Sequence, residues 1–202
     1  MGQYYKIVNV KKKQYITPYT FGDGSKLMEF GMSANGVLAG LAILLADGNG
    51  RGGGDLHSEN PIIGSWAGDN IVITGDYADK GRFVKTTNQN LYEVCQAEGE
   101  DISIKVLDAL CDDGMFFENF RKNIRPWAPA DNAVEELVER KLKERGLKKP
   151  KIHKVVSSKN TNIIYDVRED NGNWECDCPS FTYTGGKECK HIREIKSKTT
   201  NL

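Results

Sequence analysis

The sequence predicts an α+β fold in two parts. A mixed domain covers 1–147, a linker 148–151, a small β-β-α module 152–197, and a tail 198–202. Three observations predict it. Short aromatic and β-branched runs that suit strands, and longer apolar or amphipathic runs that suit helices, both occur in the first 145 residues. A charged amphipathic pattern stops at Gly146, and Lys148-Lys149-Pro150-Lys151 follows as a polar connector. Beyond it, two β-rich runs lead into a dense cluster of cysteines.

Taken in order, Tyr4-Tyr5-Lys6-Ile7-Val8-Asn9-Val10 reads as a strand, and Lys11-Lys12-Lys13 as a solvated turn. Gln14 to Ile16 returns as a second strand. Pro18, Gly22, Asp23 and Gly24 make 17–25 a loop. Asn35 to Ala46 is a helix. It is apolar nearly all round, so burial between layers is expected. Ile62–Trp66 and Ile71–Thr74 are expected to form a hairpin about Gly68-Asp69-Asn70, and Arg82–Lys85 a further strand. Helices are expected over Asn90–Gln96, over Asp101–Cys111 with Asp101 as N-cap, and over Met115–Lys122. Pro126-Trp127-Ala128-Pro129 interrupts. Asp131 then caps a helix to Arg145 with Val134, Leu137, Val138 and Leu142 on one stripe. Glu136 with Arg140 and Glu139 with Lys143 suit its wet side.

The C-terminal part carries the chemistry. Cys176-x-Cys178 is followed by a ten-residue spacer and Cys189-x-His191. Three thiols and an imidazole are the donor set of a closed, structural zinc site. Residues i and i+2 of a strand share a face, so Cys176 and Cys178 can reach one ion from a strand that Pro179 ends. Gly185-Gly186 turns the chain back, and Cys189 and His191 arrive at the start of a short helix to about Lys198. A disulfide framework fits less well, because the five cysteines are odd in number and no secretory signal precedes them. Four protein ligands leave no position for a catalytic water, so one structural Zn²⁺ is expected.

This segment resembles the SWIM-type zinc finger, a Cys-x-Cys, spacer, Cys-x-His pattern on a β-β-α unit. Val155-Val156 and Ile163-Ile164-Tyr165-Asp166-Val167 resemble its two leading strands, with Gly172-Asn173 suited to the turn before Trp174. Cys178-Pro179-Ser180-Phe181 and Cys189-Lys190-His191-Ile192 resemble its local signatures. The resemblance implies Cys176, Cys178, Cys189 and His191 as zinc ligands, and a role in binding DNA or a protein partner. The opening, from Met1-Gly2-Gln3-Tyr4-Tyr5 through Phe21-Gly22-Asp23-Gly24, is similar to segments of uncharacterised prokaryotic and phage-type proteins, which imply no function.

Net charge is zero, with 28 basic and 28 acidic residues, but it is uneven. From 147 to 202, eleven Lys/Arg face seven Asp/Glu; the remainder carries 17 against 21. This polarity permits phosphate contact by the finger without demanding it. No secretory segment is read, and the apolar run Val37–Ala46 is about half a membrane span. No membrane role and a reducing cytoplasm are therefore expected.

Elsewhere the chemistry is thinner. Gly48 to Gly54, with Arg51, Gly52, Gly53 and Gly54, could cradle an anion by converging N–H groups. It follows a helix and not a strand, and it lacks the Lys-Ser/Thr of a P-loop, so a structural loop is the stronger reading. Asp55, His57 and Asp76, with Asp47 and Asp69 near in sequence, could act as acid–base groups or metal ligands. Turn-forming Asp-Gly pairs explain them as well. Cys95, Cys111, Trp66 and Trp127 read as core, and His153 as a surface residue. Tyr4, Tyr5 and Tyr19 with Lys6 and Lys11–Lys13 mix aromatic and basic groups as single-strand binders do, though strand propensity accounts for them equally.

A non-enzymatic zinc protein contacting nucleic acid, DNA before RNA, is the leading expectation. Lys187, Lys190, Arg193, Lys196 and Lys198 would meet phosphate. One alternative is a protein adaptor presenting Trp174, Phe181 and Tyr183. Another is an enzyme acting on phosphate or nucleotide through residues 48–57.

Overall fold

The computed structural model describes residues 2–33, 35–50, 52–123 and 132–199. The fold is α+β, in two compact units, Met1–Val138 and Glu139–Leu202.

The first unit is built on β1 (Tyr5–Asn9), β2 (Gln14–Ile16), β3 (Ile71–Gly75) and β4 (Glu100–Asp101), in the order β3-β1-β2-β4. β1 and β2 form the expected hairpin, Asn9 opposite Gln14, through a turn in which Lys13 takes a positive φ. β2 and β4 are parallel, Gln14 opposite Glu100. Alternation separates the faces. Val8 meets Leu91 and Cys95 of α3 (Leu91–Glu98), while Ile7 and Ile16, paired across β1 and β2, are fully buried on the other side.

The expected hairpin over 62–74 does not form. β3 pairs antiparallel with β1, Tyr5 opposite Gly75 and Asn9 opposite Ile71. Ile62–Trp66 is instead a run of turns. Its Gly64 and Trp66 N–H groups donate to the carbonyls of Ile43 and Leu44, at 2.7 and 2.8 Å. Those carbonyls end α2 (Val37–Leu45), and a helix leaves its last carbonyls unsatisfied. Residues 82–85 are bends and not a strand. The helix α2 is also less enclosed than its composition suggests. Val37, Gly40 and Leu44 are buried, whereas Ala42 and Leu45 are exposed.

Gly40 has a packing reason. A Cβ there would stand 2.9 Å from Phe21 Cε1 and 3.1 Å from Val106 Cγ1. Phe21 ends the 3-10 turn Pro18–Phe21, and Val106 lies in α4 (Ser103–Leu110). The absent side chain lets these three elements close on each other. A short helix α1 (Leu27–Gly31) places Phe30 edge-on to Tyr5. Asp101 belongs to β4 and stands one residue before the N-cap position Ile102, yet its Oδ1 still accepts from the first α4 N–H, Ser103 N, at 2.9 Å, and from Ser103 Oγ at 2.5 Å. Asn90 does cap α3, with Glu93 completing a capping box. The next helix is α5 (Gly114–Asn123). The proline-containing break 126–129, Trp127 and the Asp131 cap lie outside the described residues.

Helix α6 (Asn132–Glu144) runs across the division between the units. Leu137 and Leu142 of its expected stripe are buried. On its exposed side Arg140 pairs with Glu144 at 3.0 Å. Gly146, at φ +65°, closes it: Gly146 N donates to Lys143 O and Leu147 N to Leu142 O, a Schellman motif.

In the second unit, β5 (Lys151–Val156), β6 (Ile164–Asp170) and β7 (Asn173–Cys176) form an antiparallel meander. The β6–β7 turn is Asn171-Gly172, one residue earlier than expected, with φ of +50° and +87°. Both central residues of such a turn need positive φ, which Asn and Gly tolerate best. Asn171 also receives Lys148 N at 3.0 Å, tying the connector to the turn. Two helices follow, α7 (Pro179–Tyr183) and α8 (Lys190–Thr199).

Candidate metal centre

Four structural positions supply the centre. Cys176 is the last residue of β7, and Val167 stands opposite it on β6. Cys178 lies past the strand, not on it as expected, as the extended N-cap residue of α7; Pro179 opens that helix at a position where proline's missing N–H costs nothing. The helix ends in a turn through Gly185 and Gly186, both at positive φ. Cys189 immediately precedes α8, and His191 lies in its first turn.

All four side chains are buried, at 5, 1, 4 and 4% exposure for Cys176, Cys178, Cys189 and His191. Their donor atoms lie within 4.8 Å of one another. His191 Nδ1 stands 3.7 Å from Cys176 Sγ and 4.0 Å from Cys189 Sγ. The ring therefore turns Nδ1 to the thiols. Nε2 is buried with no hydrogen-bond partner among the described residues, and the ring lies 4.9 Å from that of Tyr165. A neutral imidazole that offers the Nδ1 lone pair carries its proton on Nε2. The four residues can thus hold one metal ion, and with four protein donors the coordination is closed.

Val155, Val167 and Ile192 bury with the three cysteines, and Tyr165, Trp174, Phe181 and Ile195 pack against them. The centre is the core of its unit. Burial pushes the Cys176 thiol up to about 12, helped by the Cys178 and Cys189 thiols and opposed by a backbone N–H of Cys178. At Cys189 burial works upward too. The Ile192 and His191 N–H groups at the start of α8, with the thiols of Cys178 and Cys176, outweigh it and draw the thiol down. Burial, then Lys190, lowers the His191 imidazole, keeping it in the neutral form that a metal needs.

The other candidates are not assembled in this way. Among the described residues Cys176, Cys178, Cys189 and His191 are the group that can hold a metal; Asp55, His57 and Asp76 form none. Asp55 Oδ2 accepts from Gly52 N at 3.0 Å inside the glycine-rich loop. Asp76 Oδ1 accepts from Tyr4 N at 3.0 Å, extending the β1–β3 pairing. Gly50 and Gly54 have positive φ, and Gly52, Gly53 and Gly54 face open space. Asn49 Nδ2 reaches the Leu56 and Ser58 carbonyls across the loop, which supports a structural reading. Arg51 lies outside the described residues. Cys95, Cys111 and Trp66 are buried, with Trp66 Nε1 donating to Gln14 at 3.0 Å. His153 stacks on Trp174, with ring centroids 6.1 Å apart.

The five basic residues expected to face phosphate are unequal. Lys196 pairs with Glu188 at 2.8 Å and Lys198 with Glu194 at 2.7 Å. Lys190 donates to Ser158 Oγ. Among the described residues no carboxylate pairs with Lys187 or Arg193, and both are exposed. One of these ion pairs has a signal in the sequence and the other has none. Glu194 and Lys198 have the i,i+4 spacing that marks such a pair, while Glu188 meets Lys196 only because the loop before Cys189 folds back on α8.

Fold and site together define an α+β protein whose C-terminal unit is centred on a Cys3His cluster able to bind a metal. No family model, no curated protein and no solved structure matches the chain significantly. Among the described residues no helix is long and apolar enough to cross a membrane.

Proposed function

We propose that the C-terminal unit is a SWIM-type finger holding one structural Zn²⁺, and that it binds nucleic acid, DNA before RNA. The zinc reading rests chiefly on the spacing of the donors. Zn–S near 2.3 Å and Zn–N near 2.0–2.1 Å give a tetrahedral S···N edge of about 3.6 Å. The Nδ1–Sγ distances of 3.7 and 4.0 Å come close to that. A buried thiolate-rich set is also selective for a soft or borderline cation over Mg²⁺ or Ca²⁺. Strand, helix N-cap and helix first turn each deliver a ligand, in the order of the SWIM pattern.

Nucleic-acid binding is supported by the basic surplus of 147–202 and by the unpaired Lys187 and Arg193 beside Lys190 at the metal end of α8. Three phosphate contacts would give a duplex log K against log[salt] slope of about −2.7. Fluorescence anisotropy of the zinc-loaded protein on single- and double-stranded DNA and RNA, at two salt concentrations, tests this. Salt-sensitive binding that Cys189→Ser abolishes is the expected result. Absence of binding at low salt by a fully zinc-loaded protein sinks the nucleic-acid reading. One observation favours an adaptor instead: Tyr183, at the end of α7, is 89% exposed. A captured protein partner whose binding ignores salt and is lost in Tyr183→Ala would support that alternative.

A further inference from the structure

Lys6 is a cation without a conventional partner. It lies in β1 opposite Thr74 of β3, is only 7% exposed, and belongs to the sheet face that α3 covers. Its ammonium sits over two ring faces, 4.3 Å from the Tyr15 centroid and 4.5 Å from that of Tyr92. Ring faces favour the charge but leave the three N–H donors unspent. Among the described residues no acceptor comes within hydrogen-bond distance of Lys6 Nζ, and no carboxylate comes within 4 Å. The charge of Asp101 favours the ammonium, yet its Oδ1 is taken by Ser103. Burial draws the Lys6 amine below the ordinary lysine range, with Asp101 and Cys95 opposing.

The stem is buried while the ammonium nitrogen itself stays accessible, so its donors remain available to an acceptor that enters from outside. The fold leaves room for an acceptor. Lys6 lines a cleft of about 220 Å³ whose walls include Tyr4, Tyr19, Tyr92 and Thr17. Tyr4 and Tyr19 also border a wider hollow of about 610 Å³ that opens outward. A cation at the floor and aromatic walls at the mouth select for a ligand with an anionic end and a flat body.

We propose that this cleft binds a small aromatic anion, its carboxylate or phosphate on Lys6 and its ring among the tyrosines. Lys6 anchors the charge, while Tyr19, at the rim, holds the ring. The site lies wholly within the first unit and is independent of the metal centre.

An NMR titration of the metal-loaded, full-length protein tests it, read at the Lys6 side-chain and Tyr92 ring resonances. The probes are benzoate, phenyl phosphate, inorganic phosphate and benzyl alcohol. Benzoate or phenyl phosphate is expected to saturate, and the tighter of the two identifies the anionic group. Inorganic phosphate and benzyl alcohol each lack one half and should bind at least ~10-fold more weakly. Lys6→Met, which keeps the stem and removes the donors, should weaken binding at least ~10-fold, and Tyr19→Ala should weaken it too. Failure of both aromatic anions to saturate at millimolar concentration overturns the proposal. So does unchanged binding in a folded Lys6→Met protein. Should Lys6→Met not fold, unchanged binding in Tyr19→Ala overturns it.

Discussion

One carboxyl and one thiol are tuned by very local surroundings, and each makes a prediction. Asp69 lies in the turn before β3. It accepts from the wholly buried Asn9 at 2.9 Å and lies 3.2 and 3.6 Å from Lys11 and Lys12. The Asn9 bond, opposed next by burial and then reinforced by Lys11 and Lys12, holds its carboxyl below the usual range. Its folded value is thus lower than the unfolded one of about 3.9. Its contribution to stability is complete above that unfolded value and is lost as pH falls through the folded value. Asp69→Asn should therefore lower the urea midpoint at pH 7, and the gap to wild type should close near pH 2. A gap independent of pH would disprove the assignment. Cys176 makes the opposite case. Its thiol, pushed up to about 12, keeps its proton at neutral pH without metal, so metal entry must expel it. Metal affinity should rise with pH. Calorimetry at pH 7 in buffers of different ionisation enthalpy should detect net proton release. Equal apparent heats in all buffers would contradict that.

At the level of elements, tight packing competes with propensity in α2. Ala is favoured over Gly in a helix by about 1 kcal/mol. Gly40→Ala should nonetheless destabilise the protein, by about 1–2 kcal/mol, because its Cβ would crowd the Phe21 ring and Val106. Chemical denaturation decides the sign; a stabilised variant would mean that Phe21 yields easily. Elements with strong local signals were legible in the sequence. β1, β2, α3, α5 and α8 fall close to where period and turn residues place them, and Gly146 marks the end of α6. Ile62–Trp66 failed because its apolar run satisfies a strand template, while its N–H groups are claimed by the end of α2. β4 is two residues long and leaves no pattern at all.

For the molecule as a whole, the two units do not depend on the same interactions. The core of Glu139–Leu202 gathers Val155, Val167 and Ile192 round the three cysteines, so a bound metal would be its central contact. Met1–Val138 is organised by the sheet with α3, and by Phe21, α2 and α4. Chelation should therefore abolish one thermal transition and leave the other in place. A single transition that moves as one on chelation would show that the units unfold together. Far-UV circular dichroism with and without a chelator makes the distinction.

By itself, the sequence determined the α+β character, the first hairpin and the membership of the Cys3His cluster. Each depends on near neighbours: a period of two, a turn between two short runs, a Cys-x-Cys and a Cys-x-His. Tertiary structure alone decided that β3 joins β1 across more than sixty residues of chain, and that Lys196 spends its charge on Glu188. It also decided that Lys6 lies buried between Tyr15 and Tyr92. The reason is the same in each case. An unpaired strand edge or a buried charge takes whichever partner the packed chain brings within reach, and residues far apart in sequence carry no local mark of that meeting.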